Sequence, residues 1–347
     1  MLWGKRGFYM SHNELRVLFV TKKRNEFYGI SFGLLNSATF MANALAHMGM
    51  QAKVVEVIDN NGIDKEVFDY KPTHVVIEAL WVVPEKFDVL LSLHPHVKWV
   101  VRIHSNIPFL AHEGMAIEWL YGYKKNMSSR FKIATNNCHC HEDFDKIGIP
   151  NVLLPNVYEP GYRELDKKKH GKKDEIHVGC FGAVRPMKNH LEQAIAAIKF
   201  ADIIGKKLHF HINYDRVEQK GESALKNLQV LFANLHHELV EHPWCSHKDF
   251  LKIVASMDIG MQVSLSETFN IVSADFVNCD VPIVVSKQIE WLPDRVKADP
   301  TDVDSIVGVL RSVWQERNSD HGDRNEDCLE RHNQHAKHAW KEWLLNS

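Results

Sequence analysis

Six short runs in the first 155 residues are almost continuously apolar and rich in β-branched side chains: LRVLFV (15–20), QAKVVEV (51–57), THVVIEA (73–79), VKWVVRI (97–103), FKIAT (131–135) and NVLL (151–154). Strands of this kind bury both faces, and such strands belong to parallel sheets covered by helices. The connections agree. LLNSATFMANALAHMG (34–49) repeats apolar residues at helical spacing and stops at a glycine. A polar, Lys-rich stretch, YRELDKKKHGKKDE (162–175), interrupts the pattern, which then restarts with IHVGCF (176–181), KLHFHI (207–212), ELVE (238–241), DIGMQV (258–263) and VPIVV (281–285). Helical segments at 190–205, 221–236 and 248–257 separate these runs.

The expectation is an α/β chain with two Rossmann-like domains facing a central cleft. A length of 347 residues suits two domains of roughly 150 residues each. The sequence places a disordered leader at 1–13, a first domain at 14–155, a second at 156–325, and at 326–347 a helix packing back on a domain surface through Leu329, Ala336, Trp340, Trp343 and Leu344.

Composition narrows the functional classes. No apolar run approaches the ~20 residues of a membrane span, and the N-terminus lacks the ~7–15-residue apolar core of a secretory signal. Six irregularly spaced cysteines point to free thiols in a reducing compartment, hence the cytoplasm. A net charge of −2 gives no global attraction to nucleic acid or membrane, so an anionic partner must meet a local patch. TKKRNEFYG (21–29), at the end of the first strand, offers one: Lys22, Lys23 and Arg24 beside Tyr28.

The stretch SLSETFNIVSADFVNCDVPIVVS (264–286) carries the chemistry. It places Glu267 in a strand-end loop and Asp275 about two turns into the next helix, with Asn270 and the helix N-terminus as an anion site. Carboxylates accept from sugar hydroxyls and a helix N-terminus attracts phosphate, a pairing that suits a nucleoside diphosphate sugar.

These residues resemble the E-x7-E element of family 4 retaining glycosyltransferases of the GT-B fold, with Glu267, Phe269, Asn270 and Asp275 in register. Asn270 stands where that family has glycine, and Asp275 where it has glutamate. GCFGAVRPMKNH (179–190) is similar to the family's Gly-Arg-x-x-x-x-Lys turn, with Gly182 and Lys188 aligned and Ala183 in the arginine's place. LLPNVYEP (153–160) is similar to its hinge through Asn156, and YGISFGLLNSA (28–38) to its Gly-rich first loop through Gly29. The first half, with RIHSNIPFLAHEGMAIEWL, also looks like glycosyltransferases of bacteriophages.

The resemblance implies transfer of a sugar from a UDP- or GDP-sugar to an acceptor hydroxyl with retention, without a metal. It implies catalytic roles for His104, Glu267, Lys188 and Arg185, and donor contacts from Gly29, Asn156, Gly182, Lys188, Phe269, Asn270, Ile271 and Asp275. The acceptor is left open between a glycan, a phospholipid and a hydroxymethylated base in phage DNA. A sugar-nucleotide epimerase and a non-catalytic nucleotide-sugar binding protein are the alternatives. The dehydrogenase reading is disfavoured, because no Gly-x-Gly-x-x-Gly follows either first strand. Two acid- or thiol-rich stretches are read as structural: CHCHED (138–143), whose adjacent residues cannot converge on one ion, and DPTDVD (299–304), as helix-capping acids.

Overall fold

The structure is a computed structural model, and it describes residues 15–23, 32–160, 174–317 and 321–347. The leader at 1–13, Arg24, Tyr28, Gly29 and most of the Lys-rich stretch lie outside the described residues. The chain divides into two compact units, one of residues 1–159 with 333–347, the other of residues 160–332. The break expected at 155/156 therefore falls four residues later.

The first unit alternates β1 (Arg16–Lys22), α1 (Phe32–His47), β2 (Gln51–Val57), α2 (Gly62–Tyr70), β3 (His74–Glu78), α3 (Lys86–Leu93), β4 (Lys98–Ile103), α4 (Ile107–Leu110), α5 (Ala116–Asn126), β5 (Phe131–Thr135), α6 (Cys138–Lys146) and β6 (Val152–Leu153). Its strands form one parallel sheet in the order β2-β1-β3-β4-β5-β6. The six apolar runs are these six strands. Val75, Ile77, Val101 and Ile133 face one helical layer, while Phe19, Val76, Val100 and Ala134 face the other.

The second unit contains β7 (Glu175–Gly179), α7 (His190–Ile203), β8 (Lys207–Asn213), α8 (Glu222–Ala233), β9 (Glu238–His242), α9 (His247–Ala255), β10 (Ile259–Gln262), α10 (Ile271–Asn278), β11 (Ile283–Ser286), β12 (Lys297–Ala298) and α11 (Val303–Glu316). The sheet order is β12-β11-β10-β7-β8-β9, all parallel, which is the order of dinucleotide-binding sheets. Only the two-residue β12 had no counterpart among the apolar runs. Its topological switch lies between β7 and β10, so the loops leaving those two strands border one crevice. Gly179 and Gly260 let α10 press onto these strands: a Cβ on Gly260 would lie 2.7 Å from the Phe276 ring. The acids of DPTDVD do cap a helix, Asp302 accepting from the backbone N–H of Asp304 and Ser305 at the start of α11.

The last helix, α12 (His321–Asn346), starts earlier than expected and does more than cover a surface. Ala336, Trp340 and Leu344 are core residues of the first unit, packed with Phe19, Leu154 and Val157. Trp340 is fully buried, donates from its indole N–H to the Pro155 carbonyl (2.8 Å), and lies under the Arg102 guanidinium. Asn333 clamps Tyr158 through two backbone hydrogen bonds of 2.9 and 3.0 Å. This strap is why residues 156–159 stay with the first unit.

Candidate functional site

In the second unit the loops after β7 and β10 converge. The backbone turns at Gly182, whose φ of +117° is a glycine conformation, with the Lys188 side chain packed alongside. Lys188 is buried and its ammonium pairs with Glu267 at 2.5 Å. Burial alone would raise the Glu267 pKa, but Lys188 and Arg185, with hydrogen bonds from Lys188 and Ser264, hold it below the usual carboxylate range. Arg185 in turn lies 3.6 Å from Glu218, which also receives Arg216.

A layer of amides fixes this pair. Gln262 sits at the end of β10, fully buried: its amide N–H donates to the Phe181 carbonyl (2.9 Å), and its oxygen accepts from Asn270 (2.9 Å). Gln193 donates to the Lys188 carbonyl (2.7 Å) and accepts from the Val263 backbone (2.8 Å), so one side chain ties the two loops together. The Leu265 N–H donates to the Met187 carbonyl at 2.9 Å, and Asn213 accepts from the Gly182 N–H at 3.0 Å. None of Gln193, Asn213, Glu218 and Gln262 was singled out from sequence, although a glutamine closing an apolar strand is a readable signal.

Asn270 is the N-cap of α10, in the left-handed region at φ 58°, and its side chain accepts from the Ser273 N–H at 2.8 Å. That bond uses one of the N–H groups expected to be open to an anion. Asn270→Ala is expected to cost about 1–2 kcal/mol, losing the cap and straining φ, whereas Asn270→Gly keeps the conformation and loses only a few tenths. Thermal melts of the two variants check this ordering. Ile271 opens the helix, and Asp275 lies little more than one turn in, nearer the N-terminus than the expected two turns. Asp275 is buried and accepts from His247 at 2.7 Å. Phe269 is packed between the rings of Trp291 and His332, so its side chain is a prop beneath the loop.

His190, at the start of α7, is fully buried beside these cations, with no hydrogen bond to either ring nitrogen. Burial first, then Lys188 and Arg185, push its pKa down to about 3. The unfolded imidazole titrates near ~6.5, so the folded pKa is the lower one. Its contribution to stability is intact above that pH and is lost as pH falls toward 3, at about 1.4 kcal/mol per pH unit. His190→Gln is expected to flatten urea stability measured between about pH 6.5 and about pH 4. An unchanged slope would mean that His190 is not held neutral.

His104 and Asn156 belong to the first unit, where they share a buried cluster at the C-terminal ends of its strands. Arg102 and Glu78, opposite each other in β4 and β3, form a fully buried ion pair at 2.9 Å. The Asn156 oxygen accepts from Arg102, and its amide donates to Ser37 (2.9 Å), so the presumed hinge residue is a bracket of the first unit's core. His104 Nε2 contacts Glu78, and Asn136 lies 3.4 Å from Nδ1. The tautomer that satisfies both donates from Nε2 and accepts at Nδ1. Burial keeps His104 below its ordinary pKa, opposed by Glu78 and helped by Arg102, so the ring is neutral while Glu78 is ionised. Of the acceptor patch, Lys22 is half-buried and Lys23 exposed.

Two parallel six-stranded sheets flanked by helices, with the site at a sheet's switch point, define the α/β class to which GT-B glycosyltransferases belong, and solved structures of that fold align with almost the whole chain. A UDP-forming α,α-trehalose-phosphate synthase from Burkholderia xenovorans aligns with TM-score 0.69 and 12% identity over 97% of this chain and 100% of its own. A sucrose-phosphate synthase from Thermosynechococcus elongatus gives 0.64 and 11%, over 96% and 97%. An Anabaena protein in complex with UDP and glucose gives 0.61 and 11%, over 94% and 95%. At these identities the likeness is one of fold. No family model and no curated protein sequence matches the chain.

Proposed function

We propose that the protein is a retaining glycosyltransferase that takes its sugar from a nucleoside diphosphate sugar, with UDP as the first nucleotide to try. The observation that carries this reading is the buried Lys188–Glu267 pair at the β7/β10 switch point. A lysine held there by a carboxylate is a cation set aside for an anion, and the carboxylate it leaves behind can accept hydroxyl groups. On donor binding, Lys188 and Arg185 turn to the diphosphate and Glu267 to the sugar. As the glycosidic bond breaks, the two cations stabilise the charge that gathers on the leaving diphosphate. Asp275, steadied by His247, accepts from the ribose. His104, to which the resemblance gives a catalytic role, is held in one tautomer by Glu78 within the first unit.

The neighbours that form UDP or hold UDP and glucose support the donor class, and the phosphate-bearing products of two of them favour a phosphorylated sugar as acceptor. Phospholipid and hydroxymethylated DNA are the other acceptors to screen against the Lys22–Lys23 patch. All six cysteines are free thiols and no described helix is long and apolar enough to cross a membrane, which supports a cytoplasmic setting.

The test is a thermal-shift panel of UDP, GDP and their glucose conjugates in the presence of chelator, followed by product analysis with each acceptor. A shift by one nucleotide, with a product whose anomeric configuration by NMR is that of the donor, is the expected result. An inverted product ends the retaining assignment, and epimerised donor formed without acceptor replaces transfer by epimerisation. Nucleotide binding with no turnover on any acceptor leaves a binding protein, and no binding at all removes the donor site.

A further inference from the structure

One face of the second sheet carries a polar stripe where an apolar one is ordinary. In the parallel register His177 of β7 stands opposite His209 of β8, and His209 opposite Glu238 of β9. Glu175 and His211 fall on the same face by the two-residue period of strands. The His177 and His209 rings stack at 4.5 Å with an 11° tilt. One donor atom from each of Glu175, His177 and His209 lies within 4.8 Å of the other two. His177 is buried and His209 nearly so, while the Glu175 carboxylate reaches them from the strand's first residue.

The surrounding contacts orient the two rings. The His209 Nδ1 lies 3.3 Å from the Glu238 carboxylate, which only accepts, so a proton on Nδ1 faces Glu238 and leaves the Nε2 lone pair toward Glu175. His209 Nε2 makes no hydrogen bond and sits 3.7 Å from Glu175, beyond hydrogen-bond length. His177 Nδ1 meets His211 Nε2 at 2.9 Å, and His211 Nδ1 meets His242 Nε2 at 2.8 Å. With donation running from His177 through His211 to His242, His177 Nε2 presents a lone pair as well. Histidines whose outer nitrogens are tied up in this way are oriented as metal ligands are.

We propose that Glu175, His177 and His209 bind a divalent cation of the imidazole-preferring class, Zn²⁺, with water in the fourth position. Ligands about 2.0–2.1 Å from a tetrahedral ion lie roughly 3.3 Å apart, so the three donors close by side-chain movement alone. The site lies at the N-terminal end of β7, four residues or ~13 Å of strand before Gly179 and the Lys188 loop. The ion is therefore a structural clamp across β7 and β8 and takes no part in sugar transfer. A second group, Asp202 with His236 and His237, fails the same reasoning. His237 Nδ1 accepts from the Leu208 backbone, so Nε2 holds the proton and faces Asp202 as a donor.

Equilibrium dialysis of the chelator-treated full chain against Zn²⁺ tests the proposal, with Co²⁺ absorption as a second readout. Wild type is expected to bind one more equivalent than His209→Ala or Glu175→Gln, to melt higher with Zn²⁺, and to give visible Co²⁺ bands that both variants lose. Glu175 lies at a strand end, so its amide variant tests the site even where His209→Ala misfolds. His211→Ala, which frees His177 Nδ1, is expected to weaken binding about 10- to 100-fold. His237→Ala is expected to leave the stoichiometry unchanged. Equal stoichiometry in wild type, His209→Ala and Glu175→Gln, or loss of the equivalent in His237→Ala alone, would overturn the assignment.

Discussion

Glu78→Ala is expected to destabilise the first unit by roughly 3–5 kcal/mol, because it leaves the Arg102 guanidinium in the core without its carboxylate. Neither side chain of this pair has any exposure. Burial on its own would raise the Glu78 pKa, but the Arg102 charge, with hydrogen bonds from Arg102 and His104, keeps it low and so keeps the pair ionised. The Arg102 head also donates to the Leu154 carbonyl (2.9 Å) and to Asn156, so the cost of its stranding spreads to β6 and the strap beyond it. Urea unfolding of Glu78→Ala, Arg102→Met and the double variant gives the coupling. The double variant should be more stable than the sum of the singles predicts, since removing both charges strands neither. Strict additivity would mean that the two charges do not support each other.

Lys188→Ala is expected to lower sugar transfer by about 10²–10³-fold, the scale of losing one preorganised partner of a developing anion. The loss should appear in kcat and not only in KM, because the charge on the diphosphate grows as the bond breaks. The variant also leaves Glu267 buried without its ammonium, so the carboxyl moves up in pKa, with Arg185 and Ser264 still opposing the rise. Glu267→Gln separates the two effects: it frees Lys188 for phosphate and should keep nucleotide binding while losing discrimination among sugars. Initial rates with the donor identified by thermal shift check both. Lys188→Ala with wild-type kcat would remove the lysine from the reaction.

Much of this architecture was legible because buried parallel strands write themselves as apolar runs, and all six of the first unit and five of the second were marked that way. The pairing of Lys188 with Glu267 was legible only as two separate motifs, and the sequence could not say that they neutralise each other. The roles of the supporting amides were hidden for a different reason. Gln193 and Gln262 act on backbone atoms 70 and 81 residues away, so a glutamine at a strand end can be noticed but its partner cannot. Asn156 was expected to open the second domain, while packing against Arg102 and Ser37 gives it to the first unit. The C-terminal helix read as packing on a domain surface through one apolar face, Trp340 included, yet Trp340 fills a gap in the core that only tertiary structure defines.

That helix also sets an order of assembly. Residues 333–347 leave the ribosome after the whole second unit, and until they do the first unit lacks Ala336, Trp340 and Leu344 from its interior. The second unit can therefore close while the first is still an open, partly formed sheet, reversing the N-terminal-first sequence usual for multidomain chains. A fragment ending at Glu159 would expose the hollow that Trp340 fills, whereas residues 160–332 carry their own interior. Joining 333–347 to 159 through a short linker is the way to obtain the first unit on its own.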